Sequence, residues 1–194
     1  MIARPNRTRR VAVAAAVLVP LLLTASPAVR AADGQEALRS LVKAGEKAPA
    51  FSLRDADGND VSFRPGDGTP VLVVFWSVFC PLCRDLMPGV NGFAARHGAT
   101  VRVVGVNLDG KRFTANVRSY VAEAALRFPV GMDELRGDFF IASDPFGVEK
   151  TPTAVLVDGG GTVRGAWAAE KMRDLLSEAG AIVSPLQQGE SPGQ

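Results

Sequence analysis

The chain has 194 residues, 47% of them hydrophobic and 22% charged, with 20 Gly, 13 Pro, two Cys and one His. That length suits one domain with extensions, and ordinary Gly and Pro content excludes collagen-like and low-complexity chains. Two Cys cannot staple a disulfide-dense scaffold, one His leaves little for zinc, and a net charge of +2 gives no basic footprint.

Arg4, Arg7, Arg9 and Arg10 precede residues 11–24, a run almost free of polar groups and broken by Pro20. A membrane span needs about 20 apolar residues, so this shorter run predicts the apolar region of a secretory signal. Val29 and Ala31 supply the small residues of a cleavage site, which makes residues 1–31 the leader. The alternative is an uncleaved anchor through residues 11–24. Arg9-Arg10 leaves twin-arginine export beside the general route. Both readings put the globular part in the periplasm or another extracytoplasmic space, where disulfides persist. The leader holds five Arg and no acid, so the remainder has 22 − 5 = 17 basic residues against 20 acidic ones, a charge of −3. The basic excess belongs to the leader and argues for neither a nucleic-acid nor an anionic-membrane partner.

Residues 32–44 read as a polar, alanine-rich linker. Residues 51–53 and 61–63 alternate around Asp57-Gly58-Asn59 and predict a β-hairpin. Residues 71–76 (Val-Leu-Val-Val-Phe-Trp) have no polar face, as expected of a strand buried on both sides. Residues 81–97 carry apolar side chains at helical spacing, with Pro88 inside the run. A second buried strand follows at 101–106, then an amphipathic helix at 113–126. Residues 154–157 and 162–167 flank Gly159-Gly160-Gly161 and predict a second hairpin. No Lys-Ser/Thr follows those glycines, so they are not a phosphate loop. A helix at 171–179 closes the domain, which spans residues 45–183. Residues 184–194 read as a flexible tail. The order predicts an α/β fold, a sheet flanked by helices on both faces.

Cys80-Pro81-Leu82-Cys83 falls where the buried strand ends and a helix begins. Pro81 suits the first helical position, because its fixed φ is helical and its missing N–H would be unpaired there. Cys80 then lies at the N-cap, where open N–H groups and the helix dipole favour a thiolate. Cys83 is one turn on and on the same side. Cys80 is therefore the attacking sulfur and Cys83 the resolving one. A structural zinc site wants four ligands, and His97, the only imidazole, lies some four turns away. A structural disulfide with so short a loop adds little stability. His97 itself suits a helix C-terminus before Gly98. Lys111-Arg112 is too small a cluster for nucleic acid.

The run Phe75-Trp76-Ser77-Val78-Phe79-Cys80-Pro81-Leu82-Cys83 resembles the active-site segment of thioredoxin-like proteins. Gly45-Glu46-Lys47-Ala48-Pro49-Ala50-Phe51-Ser52-Leu53 with Asp57-Gly58 resembles the N-terminal hairpin of the extracytoplasmic TlpA/ResA/DsbE group. Val104-Gly105-Val106-Asn107, Phe128-Pro129-Val130, Phe146-Gly147-Val148 and Thr151-Pro152-Thr153 continue the pattern in order. The resemblance implies a thioredoxin fold with an N-terminal β-hairpin extension and a central mixed sheet. It implies a cis Pro152 beside the cysteine pair, and a partner peptide pairing with backbone near Thr151. It implies thiol–disulfide exchange with protein substrates through a redox-active Cys80–Cys83 disulfide, with no other cofactor and no metal. Trp76, Phe79, Pro81 and Leu82 would line the site.

Four departures stand out. Phe79 replaces the usual Trp before the first Cys. Val74 occupies the place of the buried acid of thioredoxins, so Cys83 must use another group or water; the resemblance, whose membrane-facing members carry an acid near the end of the next strand, implies Asp109 as a candidate for proton transfer, against the reading of an ordinary turn aspartate. Pro81-Leu82 matches neither a common reductant nor a common oxidant dipeptide. Residues 132–144 are longer than the pattern, which suggests an extra strand or a partner surface. The expected role is a monomeric net reductant, for example of apocytochrome thiols in cytochrome c biogenesis, re-reduced by a membrane-bound thiol donor. Two other classes remain open. A copper-delivery module would use both thiolates, although no His follows His97. A peroxiredoxin-like peroxidase would need Pro and Thr where this chain has Val73 and Ser77.

Overall fold

The computed structural model describes residues 40–187. The expected leader, most of the expected linker and the end of the tail lie outside these residues. β1 (Phe51–Arg54) and β2 (Asp60–Phe63) form the first hairpin, and β3 (Val71–Trp76) is the buried strand. It leads into α1 (Pro81–His97), β4 (Arg102–Asn107), a 3-10 turn at Lys111–Phe113, α2 (Thr114–Glu123) and β5 (Val130–Met132). A small hairpin, β6 (Leu135–Arg136) with β7 (Phe139–Phe140), and the one-turn α3 (Ser143–Phe146) follow. β8 (Thr153–Val157) and β9 (Val163–Ala168) make the last hairpin, and α4 (Leu175–Gln187) closes the chain.

Seven strands form one mixed sheet in the order β2-β1-β5-β4-β3-β8-β9. β3, β4 and β5 are parallel, and the two hairpins flank them antiparallel. Parallel neighbours need crossovers, which are right-handed. Two crossovers stepping the same way, β3-α1-β4 and β4-α2-β5, put both helices on one face. β3 alternates between two cores. Leu72, Val74 and Trp76 face α1, α2 and α4 together with Met87, Val90, Phe93, Val117 and Leu175. Val71, Val73 and Phe75 face the other way, toward Phe51, Phe63 and Phe146. That second face is covered by α3 and by Val42 and Ala48. The sheet is thus flanked by helices as expected, with the long ones all on one side.

Several boundaries differ from those read in the sequence. Val42 is buried and its N–H donates to the Phe146 carbonyl, so the folded body begins inside the expected linker. α2 stops three residues early, because Ala125 takes a positive φ of 46°. The closing helix starts later and runs past residue 184, into the expected tail. Leu175, Ala179 and Val183 recur every fourth residue and are fully buried, and that stripe carries the helix onward. Residues 132–144 supply the extra strands, as a hairpin outside the main sheet. The buried Asp133 carboxylate closes it, accepting from the N–H groups of Glu134, Ala142 and Ser143.

The glycine turn between β8 and β9 is a packed hairpin end. Asp158 Oδ1 accepts from the N–H groups of Gly160 and Thr162, so these donors are taken. Gly161 has φ +80°, and a Cβ there would lie 2.9 Å from the Gly66 nitrogen.

Phe146 is the hub of the second core. Its ring lies 5.2 Å from Phe75, 6.2 Å from Phe51 and 6.3 Å from Phe63, centroid to centroid. Phe146→Ala should lower the unfolding free energy by about 3–5 kcal/mol, read by urea denaturation. A loss under about 1 kcal/mol would show that the N-terminal hairpin is not anchored through this ring.

Candidate active site

The site lies where three strand ends meet. β3 runs into the Ser77–Phe79 turn and then α1. The parallel register pairs Trp76 with Asn107, which sets the residues after β4 beside that turn. The antiparallel register pairs Phe75 with Thr153, which brings Thr151 and Pro152 to its other side. The carboxyl ends of parallel strands are the usual place for sites in such sheets.

Cys80 is the N-cap of α1, with extended backbone, φ −89° and ψ 112°, and Pro81 opens the helix. The Cys80 sulfur accepts from the Cys83 N–H at 3.2 Å, the usual bond from an N-cap side chain to the third helical residue. It also donates to the Thr151 carbonyl at 3.6 Å. The Thr151–Pro152 peptide is cis, as the resemblance implied. Both thiols are free, Cys80 partly exposed and Cys83 buried at 0% exposure. Burial first, and then the bond to the Cys80 sulfur, push the Cys83 thiol up from 9.0 to about 12. Cys83 is therefore a neutral thiol at ordinary pH, while Cys80 is the sulfur that solvent reaches.

The remaining candidates divide. Phe79 and Leu82 stand 57% and 58% exposed on either side of Cys80, and Pro81 is exposed between them. Trp76 does not line the surface. It is fully buried in the same core as Cys83 and packs on Tyr120 at 5.2 Å, so it supports the site from beneath. The cause is its place as the last residue of a strand covered on both faces. Val74, where thioredoxins carry an acid, is also fully buried.

Asp109 binds the turn. It accepts from the Ser77 hydroxyl, from the Val78 N–H at 2.8 Å and from the Asn107 side-chain amide at 2.7 Å. None of its hydrogen bonds among the described residues goes to a sulfur. Three partners were missed in the sequence. Ser77 links Asp109 to the Phe79 N–H, Asn107 is a fully buried amide, and Phe113 stacks edge-on against Phe79 at 4.7 Å. The Ser77 and Asn107 signals lay inside the motifs, as the polar residues just after and at the end of two apolar strands. Phe113 has no such signal, because only tertiary packing brings it to Phe79. His97 ends α1 as expected, in the last turn before Gly98. Among the described residues no cluster of three or more His, Cys, Asp and Glu could hold a metal ion.

Comparison with known proteins agrees with this geometry. The model of the AhpC/TSA family matches residues 44–166, well over half of the chain. Thiol-disulfide oxidoreductase ResA of Halalkalibacterium halodurans is 28% identical over 148 residues, which cover 76% of this chain and 81% of that protein. A crystal structure described as thiol:disulfide interchange protein DsbE, from Chlorobium tepidum, is 30% identical with a TM-score of 0.63. The match covers 76% of this chain and 99% of that one. StoA of Bacillus subtilis shares the fold with a TM-score of 0.54, at 22% identity over 68% of this chain and 96% of that one. The chain belongs to the AhpC/TSA family, among its thioredoxin-fold thiol-disulfide oxidoreductases of the ResA, StoA and DsbE kind.

Proposed function

We propose that this oxidoreductase acts outside the cytoplasm as a net reductant of disulfides in protein substrates. The observation that carries the exchange chemistry is the asymmetry of the two sulfurs. One is partly exposed at a helix N-terminus with a backbone N–H aimed at it. The other is buried one turn away and held protonated.

The Cys80 thiolate attacks one sulfur of the substrate disulfide. That S–S bond breaks, its second sulfur leaves as a thiolate, and a mixed disulfide through Cys80 forms. Cys83 then loses its proton and attacks the Cys80 sulfur. The substrate's remaining sulfur leaves as a thiolate, and the Cys80–Cys83 disulfide closes. The substrate gains two electrons and the protein dithiol gives them up. A membrane-bound dithiol donor would restore the reduced pair. The exposed Phe79 and Leu82 offer an apolar rim to a polypeptide. A groove of about 400 Å³ between Phe79, Arg84, Asn116 and Tyr120 opens beside them. The Thr151 carbonyl lies 3.6 Å from the Cys80 sulfur, beside the place where an incoming segment would lie.

The leader pattern of residues 1–31 supports the extracytoplasmic place, and apocytochrome thiols awaiting haem are the substrate class we favour. No helix among the described residues is long and apolar enough to cross a membrane. Residues 11–24, the alternative anchor, lie outside them.

Reduced protein treated briefly with iodoacetamide at neutral pH should be labelled at Cys80 and not at Cys83, read by peptide mass mapping. Equal labelling would contradict the asymmetry. Cys83→Ala, expressed in its native compartment, should accumulate mixed disulfides through Cys80, and absence of any trapped protein would count against exchange. For direction, the midpoint potential should lie nearer to about −270 mV than to about −120 mV. A value at the oxidising end would replace the reductant reading with an oxidant one.

A further inference from the structure

We propose that Asp109 is a positioning residue for the nucleophile, holding the turn that fixes Cys80 at the helix N-cap, rather than a proton-transfer group. The inference rests on the exchange reading and deepens it.

The three residues before Cys80 have no regular structure, yet each backbone N–H or side chain facing Asp109 is tied. Asp109 Oδ1 accepts from the Ser77 hydroxyl, and Ser77 Oγ in turn accepts from the Phe79 N–H at 3.0 Å. Asp109 Oδ2 accepts from the Val78 N–H at 2.8 Å. The Cys80 N–H then closes on the Ser77 carbonyl at 3.3 Å. One carboxylate thus fixes Ser77, Val78 and, through Ser77, Phe79. The carboxylate is itself fixed. Its own N–H donates to Asn107 Oδ1 at 3.1 Å, and the Asn107 amide donates back to Oδ2 at 2.7 Å. Asn107 is fully buried and belongs to β4, paired with Trp76 across the parallel register. The sheet therefore transmits its geometry through Asn107 and Asp109 to the turn, and through the turn to Cys80.

The consequence falls on the sulfur. Cys80 meets the Cys83 N–H at 3.2 Å only while its backbone stays extended ahead of α1. A loose turn would let Cys80 sample positions where that donor no longer points at the sulfur, and misplacement of a reacting atom is costly in rate. A proton-transfer role would need the carboxylate to reach Cys83. Its bonds run instead to the turn and to Asn107.

Position and proton transfer separate in the Asp109→Asn variant. An amide keeps one acceptor for the Val78 N–H and can donate to Ser77 Oγ, but it cannot carry a proton away. The test uses the full chain, with two readouts: the rate of Cys80 alkylation by iodoacetamide, and the dithiol–disulfide ratio in a glutathione buffer. Asp109→Ala should slow alkylation about tenfold and shift the glutathione equilibrium toward the disulfide about threefold. Ser77→Ala should act in the same direction by about threefold in alkylation, and Asp109→Asn should stay within about twofold of the parent on both. A parent-like Asp109→Ala would overturn the proposal. So would an Asp109→Asn as impaired as the alanine variant, which would assign the role to charge or to the proton. Should Asp109→Ala fail to fold, an unchanged Ser77→Ala overturns it equally. Alkylation needs no disulfide substrate. Failure of the parent to reduce protein disulfides would thus defeat the exchange reading and leave the Asp109 comparison readable.

Discussion

Burial of β3 on both faces is the constraint on which the rest of the molecule depends. Six consecutive apolar residues can be accommodated only at the centre of a sheet covered above and below. The alternation of the strand then splits them between two cores. Each core demands its own cover, the long helices on one side and α3 with the N-terminal segment on the other. A strand with neighbours on both sides also has its registers fixed by hydrogen bonding, and a slip of one residue would exchange its two faces. The positions of Asn107 and Thr153 opposite its end are therefore as fixed as the cores themselves. The catalytic turn inherits this rigidity without containing any regular structure of its own.

The two sulfurs owe their different characters to the geometry of one helical turn. The N-cap residue lies half outside the helix, so Cys80 is partly open to solvent and its sulfur meets the N–H of the third helical residue, which also bonds the Cys80 carbonyl. That third residue, Cys83, begins the inward stripe continued by Met87, Val90 and Phe93. The same N–H that hydrogen-bonds the Cys80 sulfur belongs to the residue whose own thiol the core keeps neutral. Reactivity and reserve are thus two ends of one structural unit. With Val74 in the core where a carboxyl could have stood, the burial of Cys83 is not relieved from behind.

Much of this was legible in the sequence because the decisive signals are local. The unbroken apolar run of β3, the Cys-Pro-Leu-Cys at its end and the glycine turn after β8 each carry their own backbone preference. The features that were not legible depend on register or on distant packing. Asp109 and Ser77 are 32 positions apart, and only the β3–β4 pairing makes them neighbours. An extra strand in residues 132–144 was legible from the added length, but its pairing as a two-residue hairpin is too short to show alternation, and it is closed by a buried carboxylate that reads in the sequence as a surface acid. Trp76 adjoins the motif in sequence, which suggests site lining, yet a strand's last residue can still point inward, and this one is fully buried. The end of α4 was misplaced because Pro185 and the polar residues after it drew the boundary, while the buried stripe through Val183 continued.

The same neighbourhood bears on peroxide chemistry, which the family as a whole leaves open. A peroxidatic site needs a hydroxyl free to hydrogen-bond the peroxide beside a lone reactive sulfur. Here the residue at the hydroxyl position is Ser77, and its proton already goes to Asp109 while its oxygen accepts from Phe79. The position that would require proline is Val73, deep in β3 and paired to β4 and β8. A proline there would remove a ladder donor from a central strand. The turn's polar groups are thus committed to holding Cys80 still. The second thiol stands one helical turn away, in the place from which a mixed disulfide is resolved. A solvent-accessible sulfur, a fixed turn and a buried partner are what disulfide exchange asks of a protein. Freeing Ser77 to meet a peroxide would loosen the turn on which the exchange geometry depends.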